Sequence, residues 1–385
     1  MNKLYVYYPS VISGGAEYLF KRSAEVLSES YDVTILDVEG SWLARNASFD
    51  RVRVEYLSSD KRKKLNPDSL LLTAASKAME LPRRFESSGC KVILWNIHPY
   101  NLIPSVYRLK FLQRIGAFEY FKKWVSALIN RRYKYITTKA AAHNSLFVMD
   151  DESSKSIANY HNVKNLPFLP VFCLNKMFHY QIDRKKSTYG SIKVLWLGRV
   201  DLDFKIHILR RVILDLESYA FQSGIKITLT VIGDGPGKEY IQKELSGKIK
   251  LNVIFAGEQK GAQLTSYIDE ADIGFAMGVS SVELSARGLP TILLDFSYSN
   301  ISDDYRYRWI FENENYNLGR DISTIQYSNK WCMSELLLQL NNEGKDISIA
   351  CFNYAYENHS EDLFSVVFKE SVSNSFLTID DLYHV

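Results

Sequence analysis

Three segments of this 385-residue chain combine glycine, cation and carboxylate at spacings that suit an anionic ligand. Gly14-Gly15 follows an apolar run at 4–8 and opens a helical pattern carrying Leu19, Phe20, Ala24 and Leu27. Two glycines let backbone approach a ligand closely, and a helix N-terminus carries about half a positive charge. That suits phosphate or pyrophosphate, although a plain tight turn uses the same residues. The GxGxxG dinucleotide fingerprint is absent. Gly198-Arg199 comes directly after a strand-like run at 193–197, and Lys205 lies six residues beyond the arginine. An arginine fork and a lysine point charge converging from one strand–loop–helix turn make a diphosphate clamp; two solvated surface cations are the plainer reading. Glu283 sits early in a short helical segment, behind Gly278, Ser280 and Ser281. The glycine and serines offer amides and hydroxyls to an anion, and the carboxylate offers an acceptor to sugar or ribose hydroxyls. A glutamate that merely complements a helix dipole fits the same position.

The elements that must hold these residues alternate between strand and helix. In the first half, runs at 4–8, 33–38, 52–57, 92–97, 145–149 and 166–171 read as strands, with helices after Gly15 and over roughly 67–87 and 103–131. A polar stretch at 175–191 reads as a linker. The pattern then restarts with strands at 193–198, 227–232, 251–256, 273–277 and 290–294. Helices at 205–222, 237–246 and 260–270, and a short one from 281 to Gly288, lie between them. The turn Gly233-Asp234-Gly235-Pro236 ends one strand and Gly257 ends the next. Three helical patterns at 328–342, 345–357 and 360–372 close the chain. This order predicts an α/β protein with two doubly wound domains: 1–174, then the linker 175–191, then 192–358, with a closing helix in 359–385 that crosses back to the first domain. Ligands of such sheets bind at the C-terminal strand ends, so the predicted site is the cleft between the domains.

Taken in order, Gly14-Gly15-Ala16-Glu17, Gly198-Arg199-Val200 with Lys205, Val231-Ile232-Gly233-Asp234-Gly235-Pro236, Phe255-Ala256-Gly257 and Glu283 through Pro290 resemble a GT-B glycosyltransferase of the retaining family 4 type. The likeness is most specific over 193–296. It implies a GT-B fold, with two Rossmann-like domains facing a central cleft. It further implies transfer, with retention, of a sugar from a nucleotide-diphospho-sugar (UDP- or GDP-linked) to a hydroxyl of a glycan or lipid-linked oligosaccharide. By the resemblance, Gly14, Gly15, Gly198, Gly233, Gly235, Gly257, Gly278, Ser280, Ser281 and Glu283 bind the donor, and Arg199 and Lys205 neutralise the leaving diphosphate. His98, in Trp95-Asn96-Ile97-His98-Pro99, contacts the sugar or the acceptor. No side chain supplies a nucleophile, and the leaving diphosphate itself helps deprotonate the acceptor. Glu283 matches the second glutamate of the family's Glu-x7-Glu motif; the first position is Phe275, and the loop before Glu283 is shorter than the family's. Two other readings use this fold: a nucleotide-sugar 2-epimerase, and a non-catalytic partner that kept the architecture. Asp150, Asp151 and Glu152 read as caps of the following helix, with contact to acceptor hydroxyls as the other reading of one of them.

Composition bounds the remaining possibilities. Hydrophobic residues at 46% and charged residues at 24% are ordinary globular values, which argues against disorder. Four cysteines without a CxxC predict neither a disulfide framework nor a zinc site, and a reducing, cytoplasmic compartment fits. No metal motif is visible, and no leader or membrane-spanning stretch is expected. The net charge of +3 hides an asymmetry: residues 1–170 carry 25 Lys/Arg against 16 Asp/Glu, and the remainder is net acidic. Residues 108–134 alone hold eight cations against Glu119, with Phe111, Ile115, Phe118, Phe121, Val125 and Leu128 at spacings of three and four. A basic helix with an aromatic face predicts attachment to an anionic membrane surface, as suits a lipid-linked acceptor in surface-polysaccharide (O-antigen or capsule) assembly. An amphipathic helix packed on its own sheet gives the same pattern. Nucleic acid is not the expected partner, because the aromatics lie at helical spacing rather than on a stacking platform.

Overall fold

The computed structural model describes residues 2–11, 14–47, 50–103, 118–180, 190–247, 251–322 and 329–383. They form two compact units, Met1–Val171 with Glu361–Val385, and Phe172–Ser360.

The first unit is built on a six-stranded parallel sheet in the order β3-β2-β1-β4-β5-β6. Its strands are β1 (Lys3–Tyr7), β2 (Asp32–Asp37), β3 (Arg53–Tyr56), β4 (Leu70–Ala74), β5 (Lys91–Asn96) and β6 (Leu146–Val148). Helices α1 (Gly15–Leu27), α2 (Trp42–Asn46), α3 (Leu81–Arg84), α4 (Phe118–Ala142) and α5 (Asp151–His161) connect them. The chain order reverses between β1 and β4, which makes the C-terminal ends of these two strands the switch point of a doubly wound sheet. Two sequence expectations fail here. Residues 70–74 form a strand inside the predicted helix at 67–87, because Leu-Leu-Leu-Thr-Ala is buried along its whole length in the middle of the sheet. A continuous apolar run of this kind carries no period that separates strand from helix. Residues 166–171 make one isolated bridge, Val148 to Phe168, rather than a strand. Pro167 and Pro170 lack the amides that a ladder needs.

The second unit holds a five-stranded parallel sheet in the order β11-β10-β7-β8-β9. The strands are β7 (Ser191–Leu197), β8 (Lys226–Ile232), β9 (Asn252–Gly257), β10 (Ile273–Ala276) and β11 (Thr291–Leu293). Between them run α6 (Lys205–Ser223), α7 (Gly237–Leu245), α8 (Gly261–Glu270) and the seven-residue α9 (Val279–Ser285). The switch point here lies between β7 and β10, paired in register from Ile273 with Val194 to Ala276 with Leu197. Leu195, Ile268, Leu284 and Leu289 form the core between this sheet and its helices.

The predicted helices at 328–342 and 345–357 are one element, α10 (Met333–His359), broken locally at Glu343 (φ −126°), one residue before Gly344. Residues 172–180, placed partly in the first domain and partly in a linker by the sequence, belong to the second unit. Cys173 N–H donates to His359 O, His179 N–H donates to Ala286 O, and Phe178 packs edge-on against Phe352. The rest of the predicted linker, 181–189, lies outside the described residues. Helix α11 (Glu361–Asn374) and the segment after it pack on the first unit. Phe364 stacks on Trp95, Phe368 meets Tyr31, and Val92 N–H donates to Leu377 O at 2.8 Å.

Candidate functional site

In the second unit the predicted residues gather at the C-terminal ends of adjacent strands. Apolar packing buries Val194 through Leu197 in β7, and the chain then turns at Gly198. Gly198 N–H donates to Ile232 O, and Trp196 Nε1 donates to Gly198 O at 3.1 Å. The next turn of β8 locks onto this one. Val200 N–H donates to Asp234 O, and Gly237 N–H to Val200 O. A Cβ at Gly233 would lie 2.1 Å from Gly198 O, and one at Gly235 would lie 2.3 Å from Val200 O. These glycines are required by the close approach of two loops, a role distinct from the predicted contact with ligand. Gly233 N–H in turn donates to Gly257 O.

Helix α6 begins at Lys205, and Asp201 Oδ1 accepts the amides of Phe204 and Lys205. Lys205 Nζ lies 3.5 Å from where a Cβ on Gly198 would be, so the ammonium folds back over the β7 turn that carries Arg199. Burial pushes Lys205 down to about 8; Asp201 opposes that shift and Arg199 adds to it. Arg199 is exposed beside this ammonium. Asp201 is a functional neighbour that the motif reading missed. Its signal in the sequence is an aspartate placed four residues before the first helical lysine.

From β10 the chain enters the turn Met277-Gly278 and then α9. Gly278 N–H donates to Leu318 O at 2.7 Å. Ser281, expected to offer its hydroxyl to an anion, is fully buried and donates to Gly278 O at 2.7 Å, so it closes the turn. Ser280 and Glu283 are half-buried on the same short helix. Phe275, at the position of the family's first glutamate, is a fully buried core residue of β10 against Tyr307.

The first unit carries the other predicted residues at its own strand ends. Gly14 precedes α1 with extended backbone (φ −169°), and its carbonyl accepts Tyr18 N–H. Glu17 folds back to place Oε2 2.9 Å from a Cβ at Gly14, whereas nothing lies within 4 Å of one at Gly15. The open backbone at this helix start is therefore that of Gly15. His98 lies in the turn after β5, half-buried, with Nδ1 accepting Tyr100 N–H at 3.2 Å. Asp150 caps α5 through Ser153 N–H at 2.8 Å, and burial pushes its carboxyl up to about 7. Of the basic region at 108–134, residues 108–117 lie outside the described residues; Arg131 and Lys134 are exposed on α4.

Comparison with known proteins gives no match to a protein-family model and none to a curated protein by sequence. The structure does match solved ones over nearly all of both chains. A UDP-forming α,α-trehalose-phosphate synthase from Burkholderia xenovorans is 9% identical, with TM-score 0.59 over 98% of this chain and 100% of that one. The lipopolysaccharide outer core galactosyltransferase WaaB, in its apo form, is 11% identical, with TM-score 0.58 over 97% and 99%. HepE of Anabaena, solved with UDP and glucose, is 12% identical, with TM-score 0.56 over 97% and 100%. The chain has the GT-B fold. Among the described residues no group of three or more His, Cys, Asp or Glu can hold a metal ion, and no helix is long and apolar enough to cross a membrane.

Proposed function

We infer that this chain is a glycosyltransferase that takes its sugar from a nucleotide-diphospho-sugar. One observation carries the reading. Strands β7 and β10 are paired at the switch point of the second sheet, and their ends deliver Arg199 and Lys205 from one side and Glu283 from the other. Two cations and a carboxylate, carried by the segments that follow adjacent strands at the place where doubly wound sheets bind ligands, suit a diphosphate joined to a hydroxyl-rich ribose. Burial holds Lys205 down to about 8, so its ammonium is still charged at neutral pH, and a diphosphate beside it raises that value. The bound UDP of Anabaena HepE, in a chain of similar fold and length, supports this ligand class.

In this reading, Arg199 and Lys205 stabilise charge developing on the leaving diphosphate, and Glu283 holds the ribose. The open backbone of Gly15 approaches the phosphates, and His98 contacts the sugar or the acceptor. Transfer proceeds with retention, the diphosphate assisting deprotonation of the acceptor hydroxyl, and protein cations take the role a metal would have. The acceptor is a glycan or lipid-linked oligosaccharide of surface-polysaccharide assembly. The excess of cations in 108–134 supports peripheral attachment to the inner face of an anionic membrane, in the cytoplasm. A donor panel of UDP- and GDP-sugars with lipid-linked and free acceptors, read by mass spectrometry and anomeric NMR, tests the reading. Sugar turnover without acceptor would favour an epimerase instead.

The buried Phe275 favours a second reading, a partner that kept the fold and lost the chemistry. Unchanged polysaccharide product with Arg199→Ala would support it against the transferase.

A further inference from the structure

Beyond β11 the second unit carries a set of buried polar side chains to which the donor site assigns no role. Asp295 and Arg308 form its centre, each less than one-twentieth exposed. Arg308 Nη1 donates to Asp295 Oδ2 at 2.8 Å and to Asn329 Oδ1 at 2.7 Å, and Nη2 donates to Asn317 Oδ1 at 3.3 Å. Asn329 Nδ2 also donates to Asp295 Oδ2 at 2.8 Å. Burying such a pair in place of apolar side chains is commonly no gain in stability. What this pair does is fix backbone.

Its branches converge on residues 317–320. Asn317 Oδ1, held by Arg308, accepts Gly319 N–H at 3.0 Å. Asp295 Oδ1 accepts Arg320 N–H at 3.0 Å, and Phe296 N–H donates to Arg320 O at 2.8 Å. A Cβ at Gly319 would lie 3.0 Å from Leu294 O and 3.6 Å from Met277 Cβ, so the segment is wedged against the ends of β10 and β11. Between these anchors, Leu318 O receives the amide of Gly278 at 2.7 Å. Gly278 begins the short turn that leads to Glu283.

We propose that Arg308 and Asn317 are positioning residues for nucleotide binding, acting through Leu318 and Gly278 to fix where Glu283 stands relative to Arg199 and Lys205. The proposal rests on the nucleotide-sugar reading of that site. An arginine fork reaches the carboxylate and the amide oxygen together, and a lysine point charge does not.

The test uses the full-length protein, titrated with UDP and with GDP by calorimetry, beside thermal melting. The variants are Asn317→Ala, Arg308→Lys, Glu283→Gln and the double variant Asn317→Ala/Glu283→Gln. Asn317→Ala and Glu283→Gln are each expected to weaken the nucleotide about tenfold, and the double variant no more than Glu283→Gln alone, because contacts acting through one residue are not additive. A role in stability alone lowers the melting temperature and the active fraction, and leaves the affinity of the folded fraction unchanged. Should Asn317→Ala fail to fold, Arg308→Lys paired with Glu283→Gln replaces it in the cycle. The proposal is overturned if nucleotide binding depends on Glu283 but not on Asn317 or Arg308, or if the losses multiply in the double variant. If the wild-type protein binds neither nucleotide, the reading of the site fails first and this inference fails with it.

Discussion

Two neighbouring cations of the second unit, Arg199 and Lys205, stand in different environments. Arg199 is exposed, and Lys205 is half-buried beside it. In the proposed function Arg199 is a charged donor to the leaving group, so for Arg199→Ala kcat is expected to fall about 10²–10³-fold. Steady-state kinetics at saturating donor checks this. Lys205 gives a pH signature. Its ammonium titrates near 8 in the free protein, and a bound diphosphate raises that value. Donor affinity should therefore be flat below about 8 and weaken about tenfold per pH unit above it until the bound form also titrates. Lys205→Met should remove the slope in a calorimetric pH series. The same depression has the opposite sense for stability. Because the folded value lies below 10.5, the cation opposes folding below about 8, and the penalty fades as pH rises toward 10.5. Lys205→Met should accordingly melt higher than wild type at pH 7 without ligand.

At the element scale, the strand ends explain why sequence reading worked in the second unit. Each strand of β7, β8 and β9 ends at a punctuating glycine turn, and helices with clear apolar stripes separate them. The order of elements and the placement of Arg199, Lys205 and Glu283 were therefore legible. What the glycines do was not. Gly233 and Gly235 look like ligand-facing residues in sequence, but their bare α-carbons admit the carbonyls of Gly198 and Val200. That requirement depends on a neighbouring loop far along the chain, so no local pattern encodes it. Gly233→Ala should destabilise the protein by about 1–3 kcal/mol in urea unfolding, through overpacking against backbone that cannot move aside. It should also weaken nucleotide binding by displacing Arg199. Strand β4 was hidden for a different reason: a strand buried on both faces shows no alternation. The Asp295–Arg308 pair was invisible because the network joins positions 295, 308, 317–320 and 329, and no spacing announces them.

At the scale of the whole molecule, the chain leaves its first unit at 171 and returns to it at 361. The returning segment completes that unit's core, since Leu377, Ile379 and Leu382 are fully buried there. Leu377→Ala should cost about 2–5 kcal/mol, and the loss should appear in hydrogen exchange of the first unit before that of the second. Charge is also divided along the chain. The positive excess of residues 1–170 is concentrated at 108–134, so binding to anionic vesicles is expected at low salt. It should be lost near about 0.5 M salt, where screening shortens the reach of surface charge to a few ångströms. Co-sedimentation with phosphatidylglycerol vesicles, compared with neutral ones, reads this directly.

In the proposed function the segments after the paired strands β7 and β10 hold a nucleotide-diphospho-sugar for transfer. The most direct test is nucleotide release from a panel of UDP- and GDP-sugars, measured with and without a glycan acceptor, for the wild-type protein and Arg199→Ala. The expected result is release of one nucleoside diphosphate that requires acceptor, yields a glycosylated product and is nearly abolished by the substitution. Release that proceeds equally in Arg199→Ala, or no release with any donor and acceptor, would contradict it.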